Sequence, residues 1–429
     1  MANEYHAATV NTDGTITSTS YALRSTDLST PTSAPRWSTV TTDWAGRKIS
    51  EQKPAPGGTF TRNYYYDSTT GNPTRTTEPG LADTLTEYDA FGEAYRTGLD
   101  LNANGALDLA TDRVVETDVT NAYAGSAWWR VTTTLGYNQA SSSTPYTSSI
   151  VKERYPGFNS FSGTLQQESY AIDLFGNTTH HTVDVDRTNR LVTDTTDLPD
   201  SSANQVAVTY NGLAVSRQSA QNLTTYFHYD SLGRPTEQVD PRLGTTTTAY
   251  YSSGTGALGQ VASVTDAASN TTSYGYDTST GRLASTTNAL GKVSYQSYNT
   301  RGQVTRIWGQ ASYPVEYAFD DYGEQTTMST YRGGTGWDGS TWPSSPGTAD
   351  TTTWAYDAAT GTLTSKTDAA SHAVTYTYNT RGQLATRTWA RGTVATYSYS
   401  STTAEQTGIS YSDSTPALTY TYSRLGQTA

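Results

Sequence analysis

The chain contains 429 residues, carries a formal net charge of −12 and has no cysteine. Without cysteine it has neither disulfides nor thiolate chemistry, and an acidic balance without a basic block argues against nucleic-acid and anionic-membrane partners. No segment approaches the roughly 18 apolar residues that a membrane-spanning helix needs, so membrane insertion is not expected.

Tyrosine dominates the apolar composition, with 33 residues against 7 phenylalanines and 2 methionines. This composition excludes an oily interior, and we expect aromatic rings with polar tips to provide the burial. Low aliphatic content is also a property of disordered chains, but those chains are poor in aromatic residues, which make up 11% here. The first six residues lack a basic and apolar leader, so we expect any export signal to lie outside this sequence.

The first 60 residues are rich in Thr and Ser and hold an imperfect copy, at Asp43–Arg47, of a phrase that later recurs. Two regular copies follow, from Tyr64 to Gly71 and from Tyr88 to Gly92. In each copy an aromatic residue precedes an acid, and Gly follows three or four residues after the acid. The acid can bond back to the backbone and start a turn, and Gly supplies the positive φ that a turn with a bulge needs. The phrase therefore predicts a β-hairpin.

The segment 97–165 departs from this phrase, and we interpret it as an irregular insertion. It contains the spacing of a calcium-binding loop, with oxygen ligands at positions one, three and five, Gly at position six and an acid at position nine. Position twelve holds Thr instead of the usual Glu, and an acid follows it. The predicted Ca²⁺ ligands are Asp100, Asn102, Asn104, Asp108 and Asp112. The alternative is an Asn/Gly turn with solvated acids.

Residues 170–200 hold a decayed copy, from Tyr170 to Gly176, and then an acidic run from Asp184 to Asp200. We interpret the acidic run as a solvated edge in preference to a binding face. His180 and His181 are adjacent on a predicted strand, so their side chains point to opposite faces and do not form a paired metal site.

From residue 205 onward the phrase recurs regularly. Over the whole chain, the aromatic residue before the acid or its substitute lies at positions 66, 88, 229, 251, 276, 298, 319, 356, 378, 399 and 422. Neighbouring copies are commonly about 22 residues apart, a period typical of repeat architectures. Tyrosines at i and i+2, such as Tyr376 and Tyr378, share one face of a strand. A Thr-rich strand and a second turn complete the unit, so each period predicts two strands and two turns.

This phrase, Tyr-x-Tyr-Asp/Asn-x-x-Gly-Arg/Gln, resembles the repeat of RHS or YD-repeat proteins, which include bacterial polymorphic-toxin shells, toxin-complex C components, wall-associated proteins and teneurins. Its clearest copies run from Tyr229 to Arg234, Tyr276 to Leu283, Tyr298 to Val304 and Tyr378 to Leu384. The resemblance covers most of 205–429 and the segment 60–95, and it fits poorly over 97–205. It implies an all-β fold, in which a YD-repeat β-hairpin array forms a spiralling, shell-like sheet. We therefore predict one continuous array over residues 1–429.

A second interruption, the Gly- and Pro-rich stretch at about 331–349, cannot continue a strand ladder and predicts a loop. The loop carries Trp337 and Trp342. We favour a plug in which both rings pack onto the sheet, because exposed Trp leaves apolar surface in water. The alternative is a platform on which the two rings stack against a glycan.

No motif places a catalytic triad, a phosphate-binding loop or a His-containing metalloprotease site, and we therefore predict a non-enzyme. The favoured function is a structural shell or scaffold segment of a larger secreted or cell-surface protein, which encapsulates or presents another domain. The alternatives are an adhesion or carbohydrate-binding repeat module and a self-assembling extracellular fibre. An autoprotease is the weakest alternative, because it would need the closing segment of RHS toxins, which the sequence does not contain.

The expected partners are the remainder of a larger polypeptide or an encapsulated domain, with glycans as an alternative. Strands at the two ends of the array would leave backbone groups unpaired, so self-association through sheet edges is a further expectation. The sequence stops a few residues past a turn, at Gly426–Ala429, and we expect it to be a piece of a longer protein.

Overall fold

The computed structural model describes residues 3–139, 141–155, 165–200, 202–253 and 257–428. These residues form 33 β-strands and two short 3-10 helices, Ser25–Asp27 and Pro31–Ser33, with no α-helix in the described ranges. The predicted all-β fold is therefore confirmed.

The first eleven strands are β1 (Asn3–Val10), β2 (Ile16–Leu23), β3 (Arg36–Thr42), β4 (Lys48–Ala55), β5 (Gly58–Tyr66), β6 (Pro73–Thr77), β7 (Asp83–Tyr88), β8 (Ala94–Asp100), β9 (Arg113–Ala124), β10 (Ala127–Gly136) and β11 (Tyr146–Arg154). The next eleven are β12 (Leu165–Asp173), β13 (Thr178–Asp186), β14 (Leu191–Asp197), β15 (Gln205–Tyr210), β16 (Leu213–Gln218), β17 (Thr224–Tyr229), β18 (Pro235–Asp240), β19 (Gly244–Tyr250), β20 (Val261–Thr265), β21 (Thr271–Tyr276) and β22 (Leu283–Thr287). The last eleven are β23 (Val293–Tyr298), β24 (Val304–Gly309), β25 (Val315–Phe319), β26 (Gln325–Arg332), β27 (Thr348–Tyr356), β28 (Leu363–Thr367), β29 (Ala373–Tyr378), β30 (Leu384–Thr388), β31 (Val394–Tyr399), β32 (Gln406–Tyr411) and β33 (Leu418–Thr419).

Each strand pairs antiparallel with the strands before and after it in the sequence, so the described chain is one 33-stranded meander. The sheet also runs through the segment 97–165 by way of β8 to β11, whose strands reach 12 residues in β9. Residues 156–164 of that segment lie outside the described ranges.

The turn after each repeat phrase has the predicted chemistry. The Oδ1 atom of Asp230 accepts hydrogen bonds from the backbone N–H groups of Leu232 and Arg234, at 2.9 and 3.0 Å. Gly233 takes a φ of 77°, and a bulge shifts the register just before the turn. Asn379 makes the same two bonds through its side-chain oxygen. Asp and Asn are therefore interchangeable here because either side chain supplies the oxygen that closes the turn.

The tyrosine of the phrase ties its hairpin to the preceding strand. Tyr378 donates its hydroxyl proton to the backbone oxygen of Leu363, at 2.9 Å, and Tyr276 does the same to Val261. Four further tyrosines bond a carbonyl 15 residues earlier in the same way, at positions 88, 229, 250 and 399. Each bond joins the end of one strand to the start of its neighbour. The repeat is therefore stabilised by bonds between its own strands.

The sheet spirals back onto itself. Hydrogen bonds between residues that are far apart in the sequence join the range 24–142 to the range 320–426. The partners are separated by 282 to 322 residues. One turn of the spiral therefore takes roughly 300 residues. We call residues 24–142 the first layer, residues 320–426 the second layer, and the contacts between them the seam.

The sheet has little buried interior. A small apolar cluster of Leu85, Leu107, Val114 and Tyr137 lies in the first layer, with Leu109 packed against it. Between residues 138 and 307, by contrast, no described residue is buried. Most of the sheet is thus a single wall whose two faces are both partly exposed, as expected for a composition poor in aliphatic residues.

Candidate functional site

The seam is built in one consistent way. The turns that follow the repeat phrases of the second layer rest against loops at the opposite rim of the first layer. Asp321 accepts bonds from the N–H and hydroxyl of Ser25, Arg381 donates to the carbonyl of Gly80 at 2.9 Å, and the N–H of Ala82 donates to Thr402 at 2.8 Å. Side chains and backbone groups of both layers take part in these hydrogen bonds.

Arg424 makes the densest contact of the seam. Its guanidinium donates to the backbone oxygens of Asp112 at 2.8 Å, Ser142 at 3.0 Å and Gln139 at 3.1 Å, and also to that of Leu109. Burial lowers the pKa of Arg424, because a buried charge loses solvation. The carbonyl oxygens replace part of that lost solvation, and two first-layer loops are held together by one second-layer side chain.

A salt bridge lies beside Arg424. Arg113 in the first layer donates to Glu405 in the second layer at 2.8 Å, and it also donates to the backbone oxygen of Arg424 at 3.0 Å. The hydrogen bond from Arg113 lowers the pKa of Glu405 below its usual value. None of these three seam residues was singled out from the sequence, because their partners lie about 300 positions away.

The five predicted calcium ligands lie in the loop that joins β8 to β9 or at its ends. Asp100 and Asp112 are only 2% and 0% exposed. Asp100 accepts from the N–H groups of Asn104 and Gly105, at 3.2 and 2.7 Å, and Asp112 accepts from those of Leu101 and Asp108, at 2.8 Å each. These backbone bonds shape the loop around its two buried carboxylates.

Asp108 lies at the rim of the same loop. Its Oδ2 atom accepts from the side-chain amides of Asn102 and Asn104, at 2.7 and 2.6 Å, and these bonds lower its pKa. In the described part of the chain, no three His, Asp or Glu side chains are placed to share a metal ion. At present the amide nitrogens of both Asn side chains face Asp108. To bind a cation beside Asp108, both amides would have to flip so that their oxygens face it instead.

The two loop tryptophans pack onto the sheet and onto each other. The loop joins β26 to β27, and the rings of Trp337 and Trp342 lie 5.1 Å apart. Trp342 is 5.6 Å from Trp308 and 5.5 Å from Tyr331, and the indole N–H of Trp308 donates to the loop carbonyl of Gly339 at 2.9 Å. The glycan-stacking role of Trp337 and Trp342 stays a prediction.

Trp308 and Tyr331 were missed from the sequence. Both are buried beneath the loop, and they lie on strands of the regular repeat, where aromatic residues are common. The sequence did contain one signal. At the end of its strand, Trp308 replaces the Thr of the repeat, and it stands directly opposite Tyr295.

The two histidines of β13 bond to different strands. His180 lies 3.2 Å from Glu168 on β12, while His181 lies 3.0 Å from Asp194 on β14. His180 also stacks on Tyr170, with ring centres 4.3 Å apart. The pair is therefore divided between two environments.

Residues 256–424 match the family model of the teneurin YD-shell. Across 96% of its length, the chain is similar to the Photorhabdus luminescens Tc holotoxin pore with a TccC3 mutation, at 12% identity and a TM-score of 0.55. The crystal structure of TcdB2-TccC3-TEV aligns over 98% of this chain at 13% identity, with a TM-score of 0.45. The chain spans 24% and 25% of the length of these two structures.

No curated protein matches the chain. Within the described residues, no helix has the length and apolarity needed to cross a membrane. At 12% identity the similarity to the Tc holotoxin establishes the fold, in which a continuous β-sheet forms a shell.

Proposed function

Because the chain is an RHS/YD-repeat protein with a structural shell fold, we propose that it serves as a wall segment that encloses or presents another protein domain. The seam is the observation that carries this proposal. A sheet that returns to itself after about 300 residues and bonds layer to layer makes a closed wall, whereas a flat array would leave both rims free. The YD-shell family is a structural family, and the wall needs no catalytic group to act.

The nature of the wall also supports this role. The described sheet is one layer thick over residues 143–307, so one face is free to line an interior while the other meets solvent. A wall whose strength comes from backbone ladders and turn bonds tolerates a polar interior. Such an interior suits a folded or partly folded protein domain from the same polypeptide. We place the protein outside the cell or at its surface, as its similarity to a holotoxin component and to teneurin YD-shells supports.

Small-angle X-ray scattering tests the wall. A solid globule of this length has a radius of gyration of about 22 Å. A curved wall around a cavity gives a clearly larger radius and a pair-distance distribution that is shifted toward long distances. A measured radius near the solid value would contradict the proposal.

Protease protection tests enclosure. In the full-length polypeptide that contains this chain, we expect an adjoining domain to resist a broad-specificity protease until the seam is opened by Arg424→Ala. Arg282→Ala is the matched control, because Arg282 donates to Asn299 in the wall, away from the seam. Equal cleavage of the adjoining domain in the wild type and in Arg424→Ala would overturn enclosure and leave the wall itself intact.

We also propose that the loop 101–112 binds calcium. Asp108 meets the side chains of Asn102 and Asn104 there, and the loop lies against Arg424, so a bound cation would order the seam. Calcium at millimolar concentration should raise the melting temperature, because a ligand that binds only the folded state stabilises it. Asp108→Asn should abolish the shift, while the turn variant Asp266→Asn should keep it. An unchanged melting temperature in the wild type would refute calcium binding.

A further inference from the structure

An open groove of about 720 Å³ crosses the second layer over β28, β29 and β30. It lies on the sheet face that carries Tyr376 and Tyr378, which we call the YD face. Lys366 stands directly opposite Val374, and Arg387 stands opposite Tyr376, so these side chains share that face. Arg391, in the turn after β30, closes one end of the groove.

The groove is cationic in a protein that is strongly acidic. Lys366, Arg387 and Arg391 line it together with one carboxylate, Asp368, which pairs with His372 at 3.3 Å. Arg391 forms a long ion pair with Asp413, at 3.7 Å. Within the described chain, Lys366 and Arg387 have no carboxylate partner within ion-pair distance, and the buried Nε of Arg387 has no hydrogen-bond partner.

Two other strand arginines have a carboxylate on the neighbouring strand. Arg96 stands opposite Glu116 and bonds it at 2.8 Å, and Arg306 stands opposite Glu316 and bonds it at 2.6 Å. The residue opposite Arg387 on β31 is Ala395 instead. Arg387 thus lacks the cross-strand carboxylate that Arg96 and Arg306 have.

Aromatic rings lie beside each of the three groove cations. The guanidinium of Arg387 lies 4.7 Å from the ring centre of Trp389, and that of Arg391 lies 5.8 Å from the same ring. The ammonium of Lys366 lies 5.4 Å from the ring of Trp354. Stacking fixes a guanidinium by its face and leaves its N–H edge free to donate two parallel bonds to an oxyanion.

We propose that this groove binds an acidic glycan whose carboxylate or sulfate groups pair with Lys366, Arg387 and Arg391. Lys366 and Arg387 lie two strands apart, which is about 10 Å across the sheet. An extended chain with anionic groups that recur along its length fits this spacing. Val374 and Tyr376 lie between the cations and offer an apolar strip to the C–H face of a sugar ring.

An acidic peptide is the competing ligand, and the groove favours the glycan. A peptide would be expected to add a strand to a sheet edge, but the groove lies in the middle of the sheet, where the backbone groups are already paired. The groove therefore offers side-chain contacts alone. This inference does not depend on the wall role, so the two can fail separately.

Isothermal titration calorimetry with defined oligosaccharides tests the proposal. The probes are an oligogalacturonate and a heparin oligosaccharide, with a neutral dextran oligosaccharide and oligo-glutamate for comparison. We expect at least one acidic oligosaccharide to bind, and its affinity to fall as salt is raised. Binding of carboxylate and sulfate probes in parallel arms identifies which oxyanion is preferred. Tighter binding of oligo-glutamate, equal binding of dextran, or no binding of either acidic sugar would overturn the proposal.

Arg387→Gln should weaken the binding tenfold or more. Arg190→Gln removes the same charge from an exposed turn outside the groove and should leave the affinity unchanged. Circular dichroism of each variant checks the fold. If Arg387→Gln does not fold, Arg391→Gln provides the same test, because its side chain is 69% exposed. Unchanged affinity in a folded groove variant would refute the site.

Discussion

Two turns of the chain have the same sequence and different tasks. Residues 299–303 and 379–383 both read Asn-Thr-Arg-Gly-Gln, and in both the Asn oxygen accepts the same two backbone bonds. Arg301 donates to the backbone oxygen of Asp320 in the next hairpin along the sheet, at 3.2 Å. Arg381 instead donates across the seam, to the backbone oxygens of Pro79 and Gly80. The local sequence determines the turn conformation, whereas the residues that face the turn determine which backbone oxygens its arginine bonds.

The same contrast extends over the whole sheet. All the described buried side chains lie in residues 23–137 or 308–408. These two ranges largely coincide with the two layers that meet at the seam. The single wall between them has no buried residue among those described. In the first layer, the segment that departs from the repeat supplies Leu107, Val114 and Tyr137 to the small core, whereas regular repeat turns of the second layer make seam contacts.

Breaking the densest joint should have the largest effect. Arg424→Ala removes charged hydrogen bonds to several first-layer carbonyls and leaves those carbonyls without donors, at a cost of about 3 kcal/mol in unfolding free energy. Urea unfolding gives the loss, and hydrogen exchange should rise in residues 101–142. Arg282→Ala, in the wall between the two layers, serves as the control. An exchange pattern in 101–142 equal to that of the wild type would show that the seam does not hold this segment.

The identical turns allow a sharper test of the contrast. Arg381→Ala should cost about 1 to 2 kcal/mol, because it removes two charged bonds between layers, whereas Arg301→Ala removes one bond between neighbouring hairpins and should cost less than about 1 kcal/mol. Urea unfolding of both variants measures the difference. Equal losses would mean that the seam adds nothing to what the turn itself contributes.

The sequence predicts the hairpin well because its determinants are local. The aromatic residue, the acid and the Gly of each phrase lie within a few positions, and Asn379 replaces Asp without changing the bonds. The residues from Asp100 to Asp112 likewise form one loop with backbone bonds to its two buried carboxylates, and calcium binding there stays a prediction. The seam could not be predicted, because it depends on the small twist between neighbouring strands, summed over about 300 residues. Arg424 and its partners Gln139 and Ser142 carry no local sign of that distance.

Tyrosine hydroxyls should contribute equally in both regions. Tyr276→Phe in the wall and Tyr378→Phe in the second layer each remove one bond to a carbonyl, and each should cost about 1 kcal/mol. Tyr226→Phe is the control, since Tyr226 is 52% exposed and its hydroxyl has no protein partner among the described residues. Urea unfolding of the three variants makes the comparison. A loss confined to Tyr378→Phe would mean that this bond matters only where the layers meet.

The smallest effect concerns the pH dependence of the seam. The hydrogen bond from Arg113 lowers the pKa of Glu405 in the folded protein. A lowered pKa means that the pair stabilises the fold above the usual glutamate pKa of about 4.3 and that this stability is lost as the pH falls through the lowered value. Glu405→Gln should therefore cost less than about 1 kcal/mol at pH 7, as is common for partly exposed ion pairs.

The difference between the wild type and Glu405→Gln should shrink as the pH falls from about 4.3 through the lowered pKa of Glu405, because both side chains are neutral below that pKa. Urea unfolding at pH 7, 5, 4 and 3 measures this, with Glu153→Gln as a control for loss of a carboxylate from an exposed position in the wall. A difference that stays constant from pH 7 to pH 3 would show that the charge of Glu405 does not act through Arg113. Since Arg113 also donates to the backbone oxygen of Arg424, it remains anchored to the second layer in acid. The seam should therefore loosen at low pH without opening.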